Sequence, residues 1–269
     1  WSDFHLPDYS NLSQFAREFS LEAGELLLSY YGKITSRTQK SGRGDFVTEA
    51  DHAVEDFFRE KLEKSFPSHN LLSEECGWVK NDPSAPTWVL DPVDGTRNFA
   101  QGIPTFAISL GCVLEDQPVL GAIYDPCHDQ LYHAAKGQGA FLNDEPIGVS
   151  DTPDLIDALI SVSWSPNRLD QDAFLRTMEK VNRYTTYYRR IGSAAIVLSY
   201  VACGKFDGYI QAGINPWDIA AGVVLVEEAG GKISDFQGNP INVLEKDINL
   251  LAANPSVHSL ILKEVTPGK

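Results

Sequence analysis

Residues 88–96 read WVLDPVDGT, and this stretch decides how the fold is interpreted. The apolar run at its start predicts a short buried strand, which Asp91 and Pro92 bring to an end. Asp94 closes the turn, and Gly95 with Thr96 predicts the first turn of a helix. Two carboxylates thus flank a proline-stiffened turn between a buried strand and a helix.

The chemistry of this turn allows two interpretations. Asp91 and Asp94 can share a divalent cation, with the Val93 carbonyl as a further oxygen ligand. The backbone N–H groups of Gly95 and Thr96 can hold a phosphate, because the start of a helix carries partial positive charge. The alternative is an ordinary turn whose aspartates cap a helix. The stretch by itself leaves both interpretations open.

Three further segments place acidic residues beside apolar ones. Glu74 and Glu75 follow a short apolar segment, Asp218 leads a helix of small residues, and Thr48-x-x-Asp51 resembles a capping box. Each segment alone has a structural explanation, either as solvated surface or as a helix cap. Together with residues 88–96 they bring the number of acidic clusters to four.

Four converging carboxylates cannot all be ionised without cations. Glu74, Asp91, Asp94 and Asp218 would form such a group. Oxygen ligands without His or Cys select Mg²⁺, Mn²⁺ or Ca²⁺ over zinc. Two hard cations in one site typically drive in-line displacement at phosphorus. The acidic residues therefore predict metal-dependent phosphate chemistry.

The composition excludes several classes of partner. The 269 residues include 37 acidic and 22 basic ones, a net charge of −15. Nucleic acid and anionic membranes require a basic patch, so neither is an expected partner. The four cysteines form no C-x-x-C pair, which favours a reducing cytoplasm over a zinc site or a disulfide framework. No signal peptide and no membrane-spanning stretch is predicted.

The pattern along the chain changes near residue 150. Helices are predicted over 10–31 and from Thr48, a flexible polar loop over 38–44, and antiparallel strands over 105–142. Beyond residue 150, strands and helices alternate, with strands at 158–163, 206–211 and 248–253 and helices at 170–182, 193–203 and 218–229. We therefore predict a mixed α/β protein, a single catalytic unit 1–269 with a larger α+β lobe (1–150) and a smaller α/β lobe (151–269).

The four acidic clusters, in this order and at these separations, resemble the inositol monophosphatase family over almost the whole chain. The matching residues are Asp45-x-Val-Thr-x-x-Asp51, Glu74-Glu75, Asp91-Pro-Val-Asp94-Gly-Thr96 and Trp217-Asp218-x-Ala-Ala-Gly222. The resemblance implies the layered αβαβα sandwich of the sugar phosphatases. It also implies Mg²⁺-dependent, lithium-sensitive hydrolysis of a small phosphorylated metabolite, a polyol monophosphate such as inositol monophosphate, and commonly a homodimer.

The resemblance further implies a set of metal ligands. Glu74, Asp91 and the Val93 carbonyl would hold one Mg²⁺, and Asp91, Asp94 and Asp218 a second. Glu74 would help to place a weaker third ion through waters. The site would therefore take two to three Mg²⁺ ions, with Mn²⁺ as a possible replacement.

The family also implies catalytic and substrate-binding residues. Asp51 would hydrogen-bond Thr96, and this pair would act with the metals and Glu74 to orient and deprotonate the attacking water. Lys40 matches a position on a segment that covers the site. The implied substrate contacts are Gly95, Thr96, Gly192, Ser193, Ala194, Gln211 and Asp218.

One departure from the family pattern leaves the substrate open. Inositol-specific enzymes usually carry a glutamate where this chain has Gln211, and an amide donates as well as accepts and lacks charge. The alternative substrates are histidinol phosphate, fructose 1,6-bisphosphate and 3′-phosphoadenosine 5′-phosphate. Two alternatives of other classes are a regulatory binding protein and a glycosidase in which Glu74 and Asp91 are the acid and base.

Overall fold

The computed structural model describes residues 9–33, 37–39, 46–165 and 168–265, which form seven helices and fifteen strands. The helices are α1 Ser10–Tyr30, α2 Glu49–Ser65, α3 Thr96–Ala100, α4 Arg168–Val181, α5 Ala194–Ala202, α6 Pro216–Glu228 and α7 Pro255–Val265. The strands are β1 Arg37–Gln39, β2 Phe46–Thr48, β3 Asn70–Ser73, β4 Gly77–Val79, β5 Thr87–Asp94, β6 Ala107–Leu114, β7 Gln117–Asp125, β8 Gln130–Ala135, β9 Ala140–Leu142, β10 Glu145–Pro146, β11 Ile160–Trp164, β12 Tyr188–Arg189, β13 Gly208–Ile214, β14 Lys232–Ser234 and β15 Ile248–Ala253.

A large sheet of eight strands has the order β10-β9-β8-β7-β6-β5-β3-β4. Most neighbours are antiparallel, as the alternation over 105–142 predicts, but β3 and β5 are parallel. Side chains of one strand point alternately to the two faces, so Trp88 and Leu90 lie on one face and Val89 on the other. Both faces of this sheet are therefore buried against other layers.

Helices α1 and α2 cover the first face of the large sheet. Phe19 of α1 and Phe58 of α2 are fully buried, with ring centroids 4.8 Å apart, and Phe58 lies 6.2 Å from Trp88. The predicted starts of both helices are confirmed, since α1 begins at Ser10 and Thr48 is the N-cap of α2.

Helices α5 and α6 cover the second face of the large sheet. A side chain at Gly121 of β7 would place its Cβ 2.2 Å from the carbonyl oxygen of Ala221, and Gly222 approaches Leu198 of α5 similarly closely. The small residues of α6 thus let two helices and a sheet pack at short distance. This close approach fixes the position of the first turn of α6, which carries Asp218.

A second sheet of five strands, β12-β11-β13-β15-β14, lies on the other side of α5 and α6. Its outer face packs against α4 and α7 through Phe174, Val257 and Ile261. The order of layers is helices, sheet, helices, sheet, helices, which confirms the predicted αβαβα sandwich.

Two predicted features differ from the structure. β5 continues through Asp94, with a register shift between Asp91 and Asp94, where Pro92 has no N–H for the ladder. Thr38 and Gln39, predicted as loop, pair with β2 in a small two-stranded sheet. The remainder of that loop, with Lys40, lies outside the described residues, as does Asp45.

The division into lobes at residue 150 stays a prediction, because α5 and α6 pack against both sheets. Within the described part of the chain, no helix combines the length and apolar character needed to cross a membrane.

Candidate active site

Two parallel strands bring the first two acidic clusters side by side. Ser73 at the end of β3 pairs with Leu90 of β5, and the N–H of Glu74 donates to the Leu90 carbonyl at 3.2 Å. Glu74 and Asp91 are therefore the residues that follow a matched pair on neighbouring parallel strands. Both lie at the same edge of the sheet.

The turn after Asp91 places a further carboxylate, that of Asp94, at the same edge of the sheet. The Val93 N–H donates to Asp91 Oδ1 at 3.0 Å, which holds the turn closed. Gly95 has a φ of 92°, and a Cβ there would meet the Thr105 carbonyl oxygen at 3.0 Å, so the position requires glycine. Helix α3 then begins at Thr96, as the sequence predicts.

Asp94 receives hydrogen bonds from the start of α5, which is almost 100 residues away in sequence. The Ser193 hydroxyl and the Ala195 N–H (2.7 Å) donate to Asp94 Oδ2, and the Ala194 N–H donates to Oδ1 at 3.1 Å. Ser193 also caps α5 by accepting from the Ile196 N–H. The positive end of α5 therefore faces the Asp94 carboxylate.

Asp218 lies in the first turn of α6, and its Oδ2 accepts the Asn215 N–H at 3.0 Å. This contact belongs to a capping box, so the structural explanation of Asp218 holds. Asp218 nevertheless joins the site. Among the described residues, Asp91, Asp94 and Asp218 form a possible metal site, each offering an oxygen within 4.8 Å of the others.

The electrostatics of this cluster require a neutralising charge. Burial is the largest cause that raises the pKa of Asp91 well above its usual value, followed by the charges of Glu74, Asp94 and Asp218. Burial raises the pKa of Asp94 to about 6, although its hydrogen bonds to residues 193–195 act in the opposite direction. Ionisation of the whole cluster is unfavourable until a cation binds. The all-oxygen donor set fits a hard divalent cation such as Mg²⁺.

The Thr48–Asp51 capping box is also present and reaches the site. Asp51 is fully buried, and its Oδ2 accepts the Thr48 N–H at 2.9 Å and the Thr48 hydroxyl at 2.5 Å. The Thr96 Oγ1 lies 3.4 Å from Asp51 Oδ1 and 2.9 Å from the Val93 carbonyl oxygen. The Thr96 hydroxyl thus lies between an aspartate and a predicted metal ligand.

The predicted substrate contacts divide into an exposed and a buried group. Gly192 is exposed with a φ of 85°, and Asn98 ties its loop to α3 by donating to the Ile191 carbonyl at 3.0 Å. Gln211 is only 6% exposed, and its amide donates to two carbonyl oxygens of its own strand, at 2.9 and 3.2 Å. Its Oε1 accepts the Tyr209 hydroxyl at 2.9 Å. The contact of Gln211 with substrate stays a prediction. Both hydrogens of its amide already donate to carbonyl oxygens of the protein.

No sequence pattern pointed to Asn98 or Asn215, and the resemblance implied Ser193 as a substrate contact without its hydrogen bond to Asp94. Ser193 at the start of a predicted helix is an N-cap signal that was available. The target of its hydroxyl was not, because it depends on how two distant segments pack.

Comparisons with known proteins agree with this fold. A sequence profile described as the inositol monophosphatase family matches residues 8–267. The inositol-1-monophosphatase of Synechocystis sp. is 38% identical over 256 residues, covering 95% of this chain and 88% of the relative. A Thermotoga maritima protein named fructose-1,6-bisphosphatase/inositol-1-monophosphatase is 34% identical, with coverages of 93% and 94%. The solved structure of the extragenic suppressor protein suhB from Bartonella henselae superimposes with a TM-score of 0.89 at 31% identity, covering 97% of this chain and 100% of that one.

These similarities along almost the whole chain, together with the layered fold and the acidic cluster, define a phosphoric monoester hydrolase. The chain belongs to the inositol monophosphatase family. The class sets aside the glycosidase alternative for Glu74 and Asp91.

Proposed function

We propose that this protein hydrolyses the phosphate monoester of a small polyol, inositol monophosphate or a similar compound, with two to three Mg²⁺ ions that Mn²⁺ can replace. The observation that carries this proposal is the cluster of the buried Asp91 and Asp94 with the half-buried Asp218, each offering an oxygen within 4.8 Å of the others. Three such carboxylates in a family of phosphatases are best explained as metal ligands.

The proposed metal ligands follow from the positions of these side chains. Glu74 and Asp91 directly follow the paired residues Ser73 of β3 and Leu90 of β5, and with the Val93 carbonyl they would hold one ion. Asp91, Asp94 and Asp218 would hold the second. Bound ions of this kind acidify a coordinated water and neutralise developing charge on phosphate oxygens.

The residues of α2 and α3 would then handle the proton of the attacking water. Asp51 is fixed by two hydrogen bonds from Thr48, so its second oxygen keeps a constant direction toward Thr96. A water that donates to Thr96 Oγ1 would be oriented by that hydroxyl, with Asp51 accepting the hydroxyl proton in turn. We propose this pair, with Glu74, as the catalytic residues.

The phosphate would lie against the start of α3. The first backbone N–H groups of a helix have no acceptor within the helix, so those of Gly95 and Thr96 are suited to phosphate oxygens. Gly192, Ser193 and Ala194 would line the side of the pocket that receives the alcohol, because Ser193 and Ala194 already contact Asp94. Gln211 and Asp218 complete the proposed substrate contacts.

A second substrate, fructose 1,6-bisphosphate, is supported by the name of the Thermotoga maritima relative, which includes both activities. The buried amide of Gln211 presents no negative charge, so it would not repel a second phosphate. We propose this bisphosphate as the alternative to inositol monophosphate.

The setting of the enzyme is proposed on separate grounds. All four cysteines are free, which favours a reducing cytoplasm. Inhibition by lithium and a homodimeric state are proposed from the family alone.

The test is release of phosphate from a panel of esters with and without Mg²⁺. The panel contains inositol 1-phosphate, fructose 1,6-bisphosphate, histidinol phosphate and 3′-phosphoadenosine 5′-phosphate. Asp91→Asn and Asp218→Asn should abolish turnover without loss of fold, whereas the exposed control Asp56→Asn should not. Metal-independent turnover would contradict the proposal, and metal binding without hydrolysis of any ester would favour a regulatory role.

A further inference from the structure

Helix α2 carries a second buried carboxylate one turn after Asp51. Glu55 is 5% exposed, and residues four apart lie on the same face of a helix. Burial of a carboxylate is unfavourable unless hydrogen bonds compensate for the lost water. The position of Glu55 therefore requires an explanation, and its hydrogen bonds supply one.

The hydrogen bonds of Glu55 go to the two sides of one short loop. Its Oε2 accepts the Ser73 hydroxyl and the Cys76 N–H, the latter at 3.1 Å. Ser73 is the last residue of β3, and Cys76 precedes β4. The two residues between them are Glu74 and Glu75, so Glu55 holds the loop that presents Glu74.

The same loop is held from a second direction. The Glu74 N–H donates to the Leu90 carbonyl at 3.2 Å, immediately before Asp91 in β5. The main chain of Glu74 is therefore fixed by β5 on one side, and its flanking residues are fixed by Glu55 on the other. Because Asp51 and Glu55 share α2, one helix sets the positions of both the Thr96 partner and the Glu74 loop.

We propose that Glu55 is a positioning residue that holds the Glu74 loop so that Glu74 and Asp91 can bind one metal ion together. This inference rests on the proposed function. Glu55 acts through Ser73 and Cys76 and contacts neither metal nor substrate. Removing its carboxylate should therefore weaken metal binding more than substrate binding.

The hydrogen bonds of Glu55 show which variants can separate its positioning role from an effect of its negative charge. A single oxygen of Glu55 accepts both hydrogen bonds, so the carbonyl oxygen of Glu55→Gln can replace it at nearly the same place. Glu55→Ala removes both bonds, and Ser73→Ala removes one donor. Glu63→Ala, on the exposed side of the same helix, is the matched control.

The experiment measures Mg²⁺ dissociation constants by calorimetry, independently of turnover, alongside kcat and KM for the best ester at saturating Mg²⁺. Mutation of a residue that supports a metal ligand from the outer shell typically weakens metal binding by about 10- to 100-fold. We expect Glu55→Ala to weaken Mg²⁺ binding about tenfold or more and Ser73→Ala about threefold. Glu55→Gln should stay close to wild type, and KM should change little in all of them.

Each outcome decides the inference. Mg²⁺ affinity of Glu55→Ala equal to that of the Glu63→Ala control would overturn it, and so would Glu55→Gln as damaged as Glu55→Ala. If Glu55→Ala does not fold, Ser73→Ala decides in the same way. Failure of the wild-type protein to bind Mg²⁺ or to hydrolyse any ester would instead refute the proposed function.

Discussion

Protons and Mg²⁺ should compete for the carboxylates of the proposed metal site. Burial, followed by the charges of the neighbouring acids, raises the pKa of Asp91 well above its usual value, and burial raises the pKa of Asp94 to about 6. Only the ionised carboxylates bind a cation, so each bound ion must displace any proton present. We therefore expect Mg²⁺ affinity to fall as the pH is lowered through this range.

The size of the effect follows from Asp94. With a pKa of about 6, about nine-tenths of the metal-free protein carries a proton on Asp94 at about pH 5, and almost none does at about pH 7.5. Displacing that proton should weaken Mg²⁺ binding about tenfold between these two pH values. Protonation of Asp91 adds to this difference in the same direction.

The raised pKa of Asp94 also predicts how the stability of the metal-free protein changes with pH. The pKa of Asp94 is raised in the folded state from 3.8 to about 6, so the folded protein binds more protons than the unfolded chain within that window. The metal-free protein should then lose about 2 kcal/mol of stability from this group as the pH rises from about 4 to about 6. Bound Mg²⁺ replaces the protons, so the stabilisation by Mg²⁺ should grow with pH.

Calorimetric titration with Mg²⁺ at the two pH values measures the difference in affinity, and thermal unfolding with Mg²⁺ or EDTA measures the stabilisation. Asp91→Asn is the control, because it removes a ligand and should show no Mg²⁺-dependent rise in Tm at either pH. Equal Mg²⁺ affinity at both pH values, with the fold intact, would refute the reasoning.

Three further predictions concern packing, the proton path and the buried amide. Gly121→Ala should cost about 1–3 kcal/mol in urea unfolding, because its Cβ would lie 2.2 Å from the Ala221 carbonyl oxygen; unchanged stability would mean that α6 can move away freely. Thr96→Val should lower kcat about 100-fold or more with little change in the Mg²⁺ dissociation constant, whereas Thr96→Ser should keep most activity; a Val variant that turns over normally would remove the Asp51 pair from the mechanism. Gln211→Glu should destabilise the protein by about 1–3 kcal/mol, because it would face two carbonyl oxygens without a donor, and a variant as stable as wild type in thermal unfolding would contradict this.

Local signals made much of the fold predictable. The helix over residues 10–31 follows from its apolar spacing and the glycine that ends it, and Thr48-x-x-Asp51 predicts the start of α2 because both capping bonds form within four residues. The alternation over 105–142 likewise predicts strands that pair with their neighbours in sequence. Each of these features depends on residues close together in the chain.

Short edge strands were not predictable in the same way. β12 has two residues and β14 three, too few to show a period, and each exists because a longer strand is beside it. β5 appeared to end at Asp91 because Pro92 breaks ladders, yet the strand resumes at Asp94 after a register shift. Pairing across the sheet decided these elements.

Within the site, the order of amino acids is enough to specify which acids are present and the turn that places Asp91 close to Asp94. Only the packed fold establishes that the start of α5 donates three hydrogen bonds to Asp94, and that Glu55 holds the loop of Glu74. The physical reason is distance along the chain: a cap or a turn is closed by neighbouring residues, whereas these hydrogen bonds form only after separate segments have packed and buried the groups that make them.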